Sequence, residues 1–467
     1  MNSIISIFKN ENTKAGGFYL IGNLFDKAIL FLTIPIFTRL MSTSDYGIVN
    51  TYMSWVSILS LVVGLSLGHS IRTAFIDFKE NFEAYISSIL FLSFLNFLVS
   101  SVLILIIMYS FFKEVNLILV IFCLVQSYMT FIINCISIKY MMTMEYIKKT
   151  ILLALPNVLI TVLSIALLVN IENNQALGRI IPYIMVTSVV GIYLLVSSFV
   201  KGKKIISKIY WKYSISLSIP LIFHGLSMNI LSVADRIMIT AFRSAAETGI
   251  FSLVYSLSMI ALVVTSSMES VWIPWFTKKL QQGEKNIINK RVNLYIELVV
   301  VVIIGLLLIS PEILVFMAPE EYWGGRNLIP PVVLASFIIF LYSISVDLEY
   351  YYKSTKVIAT NTVIAAMINI GLNFIFIPHY GAIAAAFTTV IAYAVSFGIH
   401  YRAARKLDNE LFPIKIYLKP VITVLFATVL TYSLMDYASA RWGIAIVGFG
   451  LYTFISLKND RFSFVIN

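Results

Sequence analysis

Two apolar stretches of this chain carry ionisable and amide side chains confined to one helical face. Between residues 16 and 38, Asn23, Asp26, Lys27 and Thr33 fall within an arc of about 120°, with Gly16 and Tyr19 on the same side. Between residues 213 and 240, His224, Asn229, Ser232, Asp235 and Arg236 share an arc of about 140°. Arg72 ends a third apolar stretch, on the face of Gly64 and Gly68. An ionisable group among apolar residues costs several kcal/mol unless paired or hydrated, so each is a functional candidate. The chemistry open to them is non-covalent. Lys and Arg can hold an anion, a buried carboxylate such as Asp26 or Asp235 can take up H+ or Na+, and His224 can titrate near neutrality.

Structural readings compete at every position. Asp26 and Lys27 can pair with neighbouring helices, Arg72 can bridge to Asp77 or simply follow the basic loops, and Asp235 and Arg236 can form a plain ion pair or a gate. A lone histidine such as His224 is more often a hydrogen-bonded structural residue. Glu269, Glu297, Asp347 and Glu349 lie near span ends and read as solvated or paired. Pro35, Pro220 and Pro311, inside apolar runs, predict kinks or local breaks. Cys123 and Cys135, about 18 Å apart along one helix, cannot pair with each other. They spell no metal or redox motif, and no cofactor is expected.

The elements that must position these residues follow from composition. Of 467 residues, 59% are hydrophobic and 12% charged, against an apolar share of about 45–50% in a soluble domain. Mean hydropathy is +0.91. Lipid offers no partners to backbone N–H and C=O groups, so apolar runs of about 20 residues must be helices. The expected fold is an all-α integral membrane protein with about fourteen spans. They lie near 16–38, 47–70, 85–110, 117–138, 150–170, 180–200, 213–240, 249–272, 292–317, 328–352, 357–377, 381–401, 416–435 and 442–457. The last two are the shortest, and misreading them leaves twelve.

With a cytoplasmic N-terminus, the inside segments collect most Lys and Arg, including Lys201, Lys203, Lys204, Lys208 and Lys212. The outside segments keep only Arg39, Lys113, Arg179, Arg243, Arg326 and Arg441. This asymmetry places both termini in the cytoplasm. It accounts for the net charge of +11 without nucleic acid. Trp211, Trp272, Trp275, Trp323 and Trp442 fall near expected interfaces. The opening residues have no small-residue cleavage site, so no removable signal peptide is expected.

The two halves match at a nearly constant offset. Tyr46-Gly47-Ile48 opens the second span and Thr248-Gly249-Ile250 the eighth. The stripe Asn50, Ser54, Ser57, Leu61, Gly64, Gly68 falls on Ser252, Ser256, Met259, Val263, Ser266, Ser270, and Asn170 and Gly178 fall on Asn373 and Gly381. Either stripe alone is also what a helix-packing face looks like. Duplication better explains the pair and gives two six-helix lobes from a parallel internal repeat. The expected division is an N-terminal lobe at 1–200, a basic cytoplasmic linker at 201–212, a C-terminal lobe at 213–401, and two C-terminal helices with a cytoplasmic tail at 402–467.

Three segments carry a family resemblance over nearly the whole chain: GGFYLIGNLFDKAILFLTIPIFTRLMSTSDYGIVNTY, SIPLIFHGLSMNILSVADRIMI before TGIFSLVYS, and NIGLNFIFIPHYGAIAAAFTT. They resemble the multidrug/oligosaccharidyl-lipid/polysaccharide (MOP) flippase superfamily, in its Wzx-type O-antigen and polysaccharide branch. The resemblance implies a V-shaped cavity between two lobes, alternating access, and location in the bacterial inner membrane. It implies an undecaprenyl-pyrophosphate-linked oligosaccharide as substrate, among membrane lipids, with a polysaccharide polymerase and a chain-length regulator as candidate partners. On that reading Lys27, Arg72 and Arg236 are candidates to hold the pyrophosphate by charge-assisted hydrogen bonds. Asn23, Asp26, His224 and Asp235 are cavity polar groups with H+ or Na+ coupling open to them. The alternatives are a lipid II flippase, then a drug extruder, then a polytopic polymerase or glycosyltransferase. The last suits the sequence poorly, because no loop is long enough for a domain and the first external one is only Ser42-Thr43-Ser44-Asp45.

Overall fold

Apolar side chains leave many helices with exposed Val, Leu, Ile and Phe, such as Val99, Leu103, Phe111, Phe374 and Phe426. That is a surface for lipid rather than water. The computed structural model describes residues 29, 31–111, 116–171 and 173–458, without the side chains of 220, 221, 223, 224, 270 and 454–458. No strand occurs among the described residues. In chain order the helices are α1 (Phe31–Leu40), α2 (Thr43–Val63), α3 (Ile71–Asp77), α4 (Phe82–Phe111), α5 (Leu117–Met142), α6 (Tyr146–Leu168), α7 (Gln175–Gly202) and α8 (Lys208–Phe242). They continue as α9 (Ala245–Gln281), α10 (Lys285–Met317), α11 (Ile329–Tyr351), α12 (Thr355–Tyr380), α13 (Ala382–Leu407), α14 (Lys415–Ser433) and α15 (Ala438–Lys458).

Eleven of the described helices are long and apolar enough to cross a membrane. Length and composition therefore do not by themselves reach fourteen. The remaining three, α1, α8 and α15, are helical where the first, seventh and fourteenth spans are expected.

The second expected span is not one helix. α2 stops at Val63, Leu65 and Ser66 take left-handed φ values of 50° and 48°, and a short 3-10 turn, Leu67–Ser70, leads into α3. Gly64 is required just before the break, since a Cβ there would lie 2.1 Å from the Phe131 ring. The break frees backbone carbonyls inside an apolar segment, where each must find a donor. Val62 O accepts from the Leu65 amide at 3.2 Å, and Asn96 of α4 adds one side chain across the break, its Nδ2 donating to Val62 O at 3.0 Å and to Val63 O at 2.8 Å. Pro311, expected to kink or break its span, does not end its helix: α10 continues through it.

The chain divides into two compact units, Met1–Ile230 and Leu231–Asn467. In the first, α5 and α7 pack against each other and against α2, α4 and α6. Its core gathers Tyr85, Tyr128, Ile132 and Ile136, and the start of α8 docks by Trp211 Nε1 donating to Ser88 O at 3.0 Å. Cys123 and Cys135 are buried and free. In the second, α11 packs against α9, α10, α13 and α14, α12 lies on α13, and α15 lies on α10.

The loop before α14 is fastened to α10. Lys285 Nζ reaches Asp408 Oδ2 at 2.8 Å, and Asn289 spans Glu410 O and the Phe412 amide. Burial raises the Asp408 carboxyl, but Lys285 and backbone N–H donors outweigh it and hold the group below its ordinary range. Arg441, almost fully buried, pairs with Glu312 of α10 and so fixes the start of α15.

One construction occurs in both units. Ser42 caps α2 by accepting from the Asp45 amide, and Asp45 Oδ1 in turn accepts from the Ala176 amide at 3.0 Å, at the start of α7. Ser244 caps α9 by accepting from the Glu247 amide, and Glu247 Oε2 accepts from the Ala382 amide at 3.1 Å, at the start of α13. Each carboxylate meets a helix N-terminus, where free N–H groups and the helix dipole favour negative charge.

Candidate functional site

Buried polar groups inside apolar helices converge on Asp235, which is 1% exposed in the second unit. α12 brings Asn369 and Asn373, one turn apart on one face, and α13 brings Thr388 and Thr389. Asn373 Nδ2 donates to Asp235 Oδ1 at 2.6 Å, and Thr389 Oγ1 donates to Asp235 Oδ2 at 2.7 Å. A second layer holds these donors. Asn369 Nδ2 donates to Thr389 Oγ1 at 3.3 Å, Asn373 Nδ2 also reaches Asn369 Oδ1 at 3.2 Å, and Thr388 Oγ1 donates to Asn373 Oδ1. The carboxylate thus has neutral partners on both oxygens. Such an arrangement can bind a proton or a hard cation such as Na+, which prefers oxygen ligands, or stay as a fixed negative charge.

Arg236 does not complete an ion pair with Asp235. Successive helical residues point about 100° apart. Asp235 therefore turns to α12 and α13, while the Arg236 guanidinium stacks over the Tyr255 ring of α9, 4.5 Å from its centroid. Its Nη1 donates to Ser232 O at 3.1 Å, and its buried Nε has no hydrogen-bond partner among the described residues. A positive charge is therefore kept half-buried with donor capacity to spare.

Arg72 is exposed on α3, beyond the break, and makes no ion pair among the described residues. Its expected partner Asp77 instead accepts from Tyr213 Oη at 2.6 Å. His69 and Lys149 lie within electrostatic reach of Arg72. Asn23, Asp26 and Lys27 lie outside the described residues, and so does the side chain of His224, though its backbone belongs to α8. Asn229 turns to the first unit's α2, with Ser57 Oγ donating to its Oδ1 at 2.9 Å.

Sequence reasoning missed the partners of Asp235. Asn373 appears there only as a repeat match, and Asn369, Thr388 and Thr389 not at all, although amides one turn apart in an apolar span are a readable signal. It also missed the pairing of Glu349 with His400, whose Nδ1 is 2.8 Å from Oε2 with both side chains buried. Asp347 likewise accepts from Trp272 Nε1 at 3.0 Å. Among the described residues no group of three His, Cys, Asp or Glu is placed to hold a metal ion.

Comparison with known proteins adds the family context. The model of a family described as polysaccharide biosynthesis protein matches residues 13–280. An uncharacterized membrane protein of Haemophilus influenzae is 22% identical over 408 residues, covering 82% of this chain and 96% of that protein. A protein of Haloferax volcanii named "Probable low-salt glycan biosynthesis flippase Agl15" is 25% identical over 198 residues, covering 41% of this chain and 40% of that protein. Among solved structures, "Lipid II flippase MurJ, inward closed conformation" is similar with a TM-score of 0.63 and 17% identity, covering 94% of this chain and 98% of that chain. At that identity the likeness speaks for the fold.

Proposed function

Because this chain belongs to the polysaccharide biosynthesis protein family, we propose that it is a flippase for lipid-linked oligosaccharides. It moves undecaprenyl-pyrophosphate-linked polysaccharide (O-antigen) repeat units from the cytoplasmic to the periplasmic leaflet of a bacterial inner membrane by alternating access. The observation that carries this reading is the polar centre at Asp235, sequestered within apolar helices of a multi-pass membrane protein. Such a centre costs stability even when hydrogen-bonded, and an ionisable residue kept inside membrane helices is by default a candidate for passage or coupling. A relative named as a probable flippase and a structural neighbour named as a flippase support a transporter rather than an enzyme.

On this reading Lys27 and Arg72 receive the pyrophosphate, Arg236 meets it further along, and Asp235 is the candidate for H+ or Na+ coupling, with Asn23, Asp26 and His224 as cavity polar groups. The lobes are residues 1–200 and 213–401, joined by 201–212 and followed by two helices. A polymerase and a chain-length regulator then work on the delivered units.

The test is complementation of a strain lacking its own polysaccharide flippase. The wild-type chain restores surface polysaccharide, and Lys27→Ala lowers it by about tenfold or more, the effect of losing about 1.4 kcal/mol or more of interaction, at equal membrane level. Normal polymer from Lys27→Ala removes that residue from the mechanism. Failure of the wild-type chain, with rescue of a strain depleted of its lipid II flippase, makes lipid II the substrate instead.

A further inference from the structure

Glu349 and His400 form a buried pair in the second unit that the transport reading does not use. Glu349 lies in the last turn of α11 and His400 about two turns before the end of α13. Their side chains are 0% and 1% exposed, with His400 Nδ1 2.8 Å from Glu349 Oε2. Neither meets a Lys or Arg at ion-pair distance among the described residues. Lys353, Lys356 and Arg402, at the same end of the unit, are exposed, and Arg405 Nη1 donates instead to Leu411 O at 2.9 Å. The other ionisable neighbours are phenols and carboxyls. On α11 they are Tyr342, whose ring stacks on the imidazole at 5.7 Å, Asp347 and Tyr350. Tyr401 of α13 packs edge to face on Tyr417 of α14. Further out, Glu269 of α9 is within electrostatic reach of Tyr342, and Tyr295 of α10 is within reach of Asp347. α12 brings no ionisable side chain between Lys356 and His379.

The 2.8 Å contact requires a hydrogen between Nδ1 and Oε2. With that hydrogen alone, the pair is an imidazole beside a carboxylate and carries one buried, unmatched negative charge. One further proton cancels it, giving imidazolium with carboxylate, or imidazole accepting at Nδ1 from a carboxyl O–H. Burial favours this neutral sum, because an uncompensated charge away from water is the costly state. In both neutral forms Nε2 carries hydrogen, and in the charged form it is bare. A pair serving only to tie α11 to α13 would have its other acceptors satisfied. Here Glu349 Oε1 is buried with no hydrogen-bond partner among the described residues, and so are Ser345 Oγ, one turn before it, and Tyr417 Oη beside Ser345.

We propose that Glu349 and His400 together bind one exchangeable proton, at a site separate from the polar centre at Asp235. The two sites lie along one face of α13, where Thr389, Tyr393, Ser396 and His400 follow at helical spacing, all buried. Tyr342 stacks on both Tyr393 and His400 and fills the space between them. Thr389, which holds Asp235, is about 16 Å from His400 at 1.5 Å per residue. Asp235 is therefore too far away to share the proton directly. Use of the pair in coupling rests on the transport reading, and gives that cycle a proton site apart from Asp235.

The experiment is NMR of the purified full chain in detergent, labelled with nitrogen-15 at histidine and titrated from mildly acid to alkaline pH. The chain has four histidines, and the His69→Gln/His224→Gln/His379→Gln variant leaves His400 as the one signal. His400 is expected to carry hydrogen on Nε2 near neutrality and to lose it as the pH rises, keeping Nδ1–H for Oε2. In Glu349→Gln a neutral imidazole leaves no charge buried, so protonating His400 needs a proton concentration about tenfold or more higher. Asp235→Asn changes the titration by less than about tenfold, since charges that far apart interact weakly. Nε2 that stays protonated until the protein unfolds makes the pair a fixed structural bridge and overturns the proposal. So does Nε2 that is bare at every pH, and so does an unchanged titration in Glu349→Gln. Loss of the titration in Asp235→Asn merges the two sites and overturns their separation. None of these readings depends on transport, so they stand apart from the complementation test.

Discussion

Asp235 is held by neutral donors, and its charge must be tolerated without a salt bridge. Removing that charge while keeping the shape relieves desolvation; the Thr389 hydroxyl can still donate to the remaining oxygen, and the Asn373 amide, turned over, accepts from the new N–H while its own N–H meets Thr388 Oγ1. Asp235→Asn is therefore expected to leave thermal stability equal or higher while cutting translocation by about tenfold or more, the equivalent of about 1.4 kcal/mol. Polysaccharide output and detergent melting temperature, measured on the same variant, check both halves. A variant that melts lower and transports normally would make Asp235 a structural anchor. Asp235 and Arg236 were legible in the sequence because a charge in an apolar run stands out. The company Asp235 keeps was not, since Asn373 and Thr389 lie 138 and 154 residues further along the chain. Periodicity reports a face of one helix, and says nothing about which distant helix that face will meet.

At the scale of the element, the broken second span is the clearest departure from hydropathy. An unbroken apolar run from 47 to 70 reads as one helix, because neither Leu65 nor Ser66 favours a left-handed backbone. The break is imposed from outside, by the Phe131 ring against Gly64 and by Asn96 on the carbonyls of Val62 and Val63. Gly64→Ala should force that ring aside and cost about 1–3 kcal/mol, read as a lower melting temperature. Phe131→Leu in the same chain should recover part of the loss, because the two residues are in contact and their effects do not add. Additive losses would mean that the ring is not what Gly64 accommodates. Element existence and order, by contrast, were readable nearly throughout, because lipid forces every backbone bond to close locally.

Over the whole molecule, the sequence indicated duplication through stripes of small residues, and the stripes did not foretell the matched carboxylates that reach the helices opening at Gln175 and Ala382. The orientation rests on charge alone and is open to direct measurement. Cys123 and Cys135 are buried, so a single exposed cysteine added to the chain can be followed. In spheroplasts a membrane-impermeant maleimide should label Asn173→Cys and spare Lys203→Cys until the membrane is opened. The reverse pattern inverts the topology and, with it, the direction of the proposed transport.

The matched carboxylates also set where each unit can give way. Asp45 joins the head of α2 to the head of α7, and Glu247 joins the head of α9 to that of α13. A rod held at one end turns about that end, and displacement grows with distance from the pin. α7 has 28 residues, about 42 Å at 1.5 Å per residue, so a swing of about 10° carries its far end about 7 Å and its near end almost nowhere. Any opening of either unit would then be a fan, closed at the carboxylate and widest at the opposite face of the membrane.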